Sequence, residues 1–290
     1  MKPLAHVYRH HSVSPELRPY LHGMGVWEGA TPEQASRPSP GEISREVFHP
    51  DDPLVESVIP CNWVMLAFNV GDPFTLAGGK RTERVRERSH VVGPNWGGMK
   101  MRMTGKVESL GVMFRAARAA AFLGIPVNEL AGRMTPLADV WGTAGRALEE
   151  EIANLPTRAA RFQRLERELL RRLRRAPEPD LRFASLADFI ARHGGAVRVE
   201  SLTQASGLSR QHLRRRFRRE AGVTTKQFIR LERFQAMMAA RYAQPDADWA
   251  SLAADCGYYD QAHLIAEFKE FTGVTPAEFF RGPFPVRHTA

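Results

Sequence analysis

The stretch SLTQASGLSRQHLRRRFRREAGVTTKQF, residues 201–228, has a second copy in the same chain: SLAADCGYYDQAHLIAEFKEFTGVTPAEF, residues 251–279. Up to the turn glycine the offset is 50, pairing Ser201 with Ser251, Leu202 with Leu252 and Gly207 with Gly257. One extra residue enters the second turn and the offset becomes 51, pairing Ser209 with Asp260, His212 with His263, Leu213 with Leu264 and Phe217 with Phe268. Gly-Val-Thr and a closing phenylalanine, Phe228 or Phe279, end both copies. A duplicated segment of this length is one supersecondary unit used twice.

Each copy reads as a helix, a glycine turn, a Ser or Asp N-cap and a second helix, the pattern of a helix-turn-helix. The glycine permits a left-handed backbone in the turn. Leucine and phenylalanine at i and i+4 pin the second helix from inside. Rotation of roughly 100° per residue then puts Gln211, Arg215 and Arg218 on the outer face, flanked by His212, Arg214 and Arg219. Six arginines fall between Arg210 and Arg219. A second helix of this motif can enter the major groove, where arginine reaches guanine edges or phosphates. The plain alternative, a solvated basic face, loses ground because the helix sits in a duplicated, capped motif on a basic chain. Lys plus Arg number 41 against 32 Asp plus Glu, a formal charge of +9 that favours polyanionic partners. Eight further arginines lie in residues 156–176.

Residues 185–285 resemble the C-terminal domain of the AraC/XylS family of transcriptional regulators. The resemblance rests on GLSRQHLRRRF, the linker-like TTKQFIRLERFQAMMAARYA and AADCGYYDQAHLIAEFKEFTGVTPAEF. It implies two helix-turn-helix units joined by a long helix, with recognition helices in successive major grooves of double-stranded DNA. The base-facing positions implied are Arg210, Gln211, Arg214 and Arg215, with Arg218 beside them. In the second unit they are Gln261, Ala262, Ile265 and Ala266, with Lys269 as a further polar contact. The second helix departs from the pattern: Ala266 stands where an arginine is common, and Glu267 is expected to add negative charge beside it. The resemblance also implies a cytoplasmic regulator, most often an activator, with RNA polymerase as partner, a small-molecule effector and a homodimer as further expectations.

The first half reads differently. Residues 40–114 are β-rich, with VIPCNWVMLAFNVG closed by a Gly-Asp-Pro turn and two segments, Met99–Met103 and Val107–Phe114, split by Gly105. Short strands without intervening helices predict an antiparallel sandwich or barrel. Helical periodicity starts at Arg115. Phe162, Leu165, Leu169 and Leu173 form one stripe that either pairs with its twin in a dimer or packs on the N-terminal domain. The fold class is therefore α+β, an antiparallel β-barrel or sandwich with helices followed by an all-α domain. The boundaries expected are 1–155 for a sensor or dimerisation domain, 156–180 for a basic connecting helix and linker, and 181–290 for the DNA-binding domain. The N-terminal part resembles, more loosely, the cupin-like sensor domain of such regulators.

Trp27, Trp63, Met65, Phe68, Trp96 and Met101, with Met99 and Met103, could line an apolar ligand pocket, although a filled core is the plainer account. His6, His10, His11, His22, His49 and His90 lack a close His-x-His with a nearby Glu, so no metal is expected. Cys61 and Cys256 are far apart and read as buried core residues. No catalytic constellation or cofactor motif appears at convincing spacing, no membrane span is long enough, and the opening residues lack a secretory core. Two other readings stay open: an enzyme-like cupin domain fused to a DNA-binding module, and a ligand-free regulator acting by protein contacts.

Overall fold

The computed structural model describes residues 5–30, 46–49, 52–58, 60–78, 81–85, 87–96, 99–103, 106–177 and 180–281. The strands are β1 (Ala5–His11), β2 (Leu21–Ala30), β3 (Glu46–His49), β4 (Asp52–Val58), β5 (Trp63–Asn69), β6 (Phe74–Gly78), β7 (Arg81–Arg84), β8 (Ser89–Val92), β9 (Met99–Met103), β10 (Glu108–Arg115) and β11 (Met134–Pro136). They form two antiparallel sheets, ordered β1-β2-β10-β5-β8-β11 and β3-β4-β9-β6-β7. The sheets keep their edges and do not close into a barrel; the arrangement is a sandwich.

The six-stranded sheet is covered on both faces. Along β5, Val64, Leu66 and Phe68 face a helical layer. Trp63 and Met65 face the second sheet, where Cys61, Phe74, Val85 and Met101 complete a smaller core. Double coverage explains why this strand reads as an almost continuous apolar run. The hairpin of β1 with β2 escaped the sequence reading, because His10, His11, Gly23 and Gly25 interrupt its apolar pattern. Ser14 and His11 are nonetheless tied down: the Ser14 amide donates to Glu166 at 2.6 Å, and His11 stacks on Phe162 at 4.2 Å.

The helical layer comprises α1 (Ala116–Leu123), α2 (Leu137–Trp141), α3 (Thr143–Asn154) and α4 (Arg158–Leu173). Phe162, Leu165 and Leu169 of α4 lie in the same core as β5 and β10, so of the two readings of that stripe the structure takes packing within the chain. Glu168, buried on α4, accepts hydrogen bonds from Arg171 and, at 2.9 Å, from Arg172. Burial pushes its carboxyl up, and these bonds and charges outweigh that, holding it below the usual carboxylate range.

The C-terminal helices are α5 (Leu181–Arg192), α6 (Val199–Ser206), α7 (Arg210–Ala221), α8 (Thr225–Ala243), α9 (Trp249–Asp255), α10 (Gln261–Thr272) and α11 (Pro276–Arg281). They share one core around Phe217, Phe234, Met237, Met238, Leu264 and Phe268. α5 starts earlier than its apolar pattern suggests, because the Asp180 side chain accepts from the amides of Arg182 and Phe183 at 3.0 and 3.2 Å.

The two halves interlock. Ala116 of α1 is buried in the C-terminal core, not the N-terminal one. Trp96 packs edge-on against Phe271 at 4.8 Å. The Asn62 amide donates to Glu232 of α8 at 2.6 Å, and Gln235 donates to the Pro60 carbonyl at 2.9 Å. Desolvation pushes the Glu232 carboxyl up to about 7, with Asp188 adding to it and the Asn62 bond and Arg115 charge opposing. A raised carboxyl favours the folded state most below the unfolded value near 4.5, and that contribution is lost as pH rises through about 7. Urea midpoints should therefore fall between pH 5 and pH 8 in the wild type and fall less in Glu232→Gln. Parallel pH profiles for the two proteins would remove Glu232 from this account.

Candidate nucleic-acid interface

The duplicated units fold alike, and their turns show why. α6 ends in Gly207 at φ 68°, and the second unit turns at Gly257 at φ 72°, a left-handed backbone that a side chain would strain. Ser209 then accepts from the His212 amide at 3.2 Å, and Asp260 from the His263 amide at 2.7 Å. Each cap satisfies one of the free amides that open α7 and α10. The symmetry extends one element further: Thr224 caps α8 in a box with Gln227, and Thr275 exchanges the same bonds with Glu278 at the start of α11. Behind the helices, Leu213, Phe217, Leu264 and Phe268 are all fully buried.

The outer faces are open. Arg210, Gln211, Arg214, Arg215 and Arg218 on α7 are exposed, as are Gln261, Ala262, Ala266 and Lys269 on α10, with Ile265 half-buried. Arg210 pairs with Glu200 at 2.5 Å, both side chains lying in solvent. Tyr259, 91% exposed in the turn just before the α10 cap, was not singled out from the sequence. The signal was its place in that turn, next to the cap residue Asp260.

Glu267 is not beside the outer face. Its side chain is only 3% exposed and points into the core against α8. It accepts from Arg230 at 2.6 Å and from Arg233 at 2.8 Å, while Arg230 also donates to Glu270 at 2.6 Å. The two guanidiniums stack as well, Arg230 over Trp96 at 4.7 Å and Arg233 over Tyr258 at 4.6 Å. The expected negative charge on the second recognition face is thus neutralised internally, and α10 presents a small, nearly neutral surface. α7 and α10 together can offer one strongly cationic and one nearly neutral helix to a polyanion.

Residues 202–282 match the family model described as a helix-turn-helix domain. The C-terminal domain is an AraC-type helix-turn-helix domain. Ahead of this AraC-type domain, residues 43–136 match a domain of unknown function (DUF6597). No curated protein matches the chain. Solved structures similar to it include ToxT from Vibrio cholerae, 11% identical over 89% of this chain and 97% of that one, with a TM-score of 0.47. An unsaturated fatty acid-bound ToxT from strain SCE256 is 9% identical over 93% and 96% of the two chains, TM-score 0.46. The AraC-like transcriptional activator CuxR is 15% identical over 78% and 84%, TM-score 0.23.

The residues expected to form an apolar pocket separate into four places. Trp27, Met65 and Met101 line a sandwich cavity of about 60 Å³ together with Phe74 and His90. Trp63 belongs to the core between the sheets, Phe68 to the core under the helices, and Trp96 to the junction with the AraC-type domain. Met99 and Met103 lie on β9, and nothing is described of their side chains. Among the described residues no group of three His, Cys, Asp or Glu is placed to hold a metal, and no helix is long and apolar enough to cross a membrane. His6 and His49 fall where side chains are not described; His90 is buried, and burial lowers its pKa.

Removing Glu267 would leave the half-buried Arg230 and Arg233 beside each other with one carboxylate fewer. Glu267→Ala should therefore destabilise the AraC-type domain by about 3–5 kcal/mol in urea unfolding. A Glu267 on the DNA face would instead give unchanged stability and tighter DNA binding on removal.

Proposed function

We propose that the chain is a sequence-specific, DNA-binding transcription regulator in which α7 and α10 enter successive major grooves on one face of the duplex. The supporting observation is the paired geometry: two capped helices, anchored by equivalent buried Leu and Phe residues, with free outer faces. Groove spacing of about 34 Å is the separation such a pair must match. Base readout falls mainly to α7, through Arg210, Gln211, Arg214, Arg215 and Arg218. Gln261, Ala262, Ile265 and Ala266 of α10 meet bases mostly by shape, with Lys269 and Tyr259 holding the backbone.

Residues 1–155 serve as the sensor or dimerisation domain, 156–180 as the connecting segment and 181–290 as the DNA-binding domain. α7 is within reach of such a sensor, because its inner flank rests on α1 and on the 3-10 turn Val127–Glu129. Gly222, which ends α7 at φ 73°, comes close enough to the N-terminal half that a Cβ there would lie 3.1 Å from Pro94. A change in the N-terminal half therefore has a direct mechanical route to the helix that reads bases. RNA polymerase contact and homodimer formation belong to the same reading.

The test is titration of the protein against genomic fragments that it retains, then against a defined site. Arg215→Ala should weaken specific binding by about 1–3 kcal/mol and relax preference at one base position. Gln261→Ala should cost less. The reverse order would overturn the assignment of readout to α7, and no preference for any retained fragment would overturn the regulator reading itself.

A further inference from the structure

A cleft of about 660 Å³ opens where the two halves meet. It lies between α1, the C-terminal end of α4 and the flank of α7, away from the sandwich cavity. Its apolar wall is the outward side of α1, with Ala117, Ala120, Ala121 and Phe122, facing Phe183 of α5. Arginines stand around it on three elements: Arg118 on α1, Arg171 and Arg175 at the end of α4, Arg216 and Arg219 on α7. Arg172 completes six cations, with Asp180 and Glu220 as lining carboxylates and Glu168 behind holding Arg171 and Arg172.

Several of these cations are incompletely used. Arg118 donates to the Pro19 carbonyl and to Asp188, while its buried Nε–H has no hydrogen-bond partner among the described residues. Arg216 donates to Asp180, and its buried Nε faces Glu220 at 3.6 Å, too long for a hydrogen bond. Arg175 has no carboxylate partner among the described residues, and Arg219 reaches Glu220 only at 3.8 Å with most of its side chain in solvent. The guanidinium donors open to an anion in the cleft are those of the exposed Arg175 and Arg219. The cleft volume lies in the range of small-molecule sites.

We infer that this cleft binds a small molecule carrying a diphosphoryl group on a planar or apolar body. The charged part lies between the α4 arginines and the α7 arginines, and the body lies on the alanine face of α1. Planar guanidinium forks match phosphoryl oxygens in pairs, which a single carboxylate would leave mostly unmet. An occupant here touches both halves at once, so it changes how α7 sits on α1. That consequence rests on α7 being a DNA-reading helix; binding itself does not.

The test uses the full chain and three probes by titration calorimetry: ADP, inorganic pyrophosphate and adenosine, with decanoate as a monoanionic comparison. ADP should bind more tightly than pyrophosphate, and adenosine and decanoate should not bind measurably. Arg175→Glu, an exposed change, and Ala120→Leu, which fills the wall, should each weaken ADP at least fivefold while circular dichroism stays unchanged. ADP should also shift the affinity of the wild type for its retained DNA at least threefold. Failure of both ADP and pyrophosphate to bind at millimolar concentration, or binding untouched by the two variants, would overturn the site. So would decanoate binding alone, or an Arg175→Glu variant that loses DNA affinity on every sequence while keeping ADP, since the arginine would then serve the DNA backbone. ADP binding with no sequence-preferring DNA binding would keep the site and sink the regulator reading.

Discussion

The carboxylate of Glu267, held between Arg230 and Arg233, is the interaction from which the placement of α10 follows. A charge taken out of water is tolerated only when its lone pairs are met, and here Arg233 donates to both oxygens and Arg230 to one of them. Because Arg230 and Arg233 are one turn apart on α8 and Glu267 is on α10, the cluster fixes α10 on the long connecting helix. Arg230 carries the constraint outward again, bonding Glu270 and stacking on Trp96 of the N-terminal half. One small polar cluster thus sets the α10 orientation and one of the contacts between halves.

A similar economy operates at α1. Its Ala116 end lies in the helical core, its Phe122 and Leu123 end in the sheet core, and its alanine face borders the arginine-lined cleft. The small side chains allow α7 to approach closely, and Gly222 allows the chain to leave α7 without striking Pro94. Movement of the sheet-side end would be felt at α7 through few intermediates, as coupling between sites requires a shared element with two arrangements.

The helix-turn-helix pair was legible because its information is local: glycine, cap and the Leu/Phe spacing lie within a few residues of one another. The ranges of α6, α7, α8 and α10 follow from those signals directly. What could not be read depends on partners distant in sequence. The inward turn of Glu267 needs α8, the hydrogen bond of Asn62 needs Glu232, and the scattering of Trp63, Phe68 and Trp96 needs knowledge of which sheet face meets which layer. The β1–β2 hairpin was missed because glycines and histidines mask alternation in strands whose support comes from pairing with β10 and packing under α4.

The placement of Ala116 and Trp96 bears on how the chain tolerates being cut. A fragment beginning at Asp180 would keep all its recognition elements but would lose the lining that Ala116 and Trp96 give to its core, baring apolar surface beside α7 and Phe271. Such a surface invites self-association, so the front half acts as a built-in solubilising cover for the back half, whatever else it does.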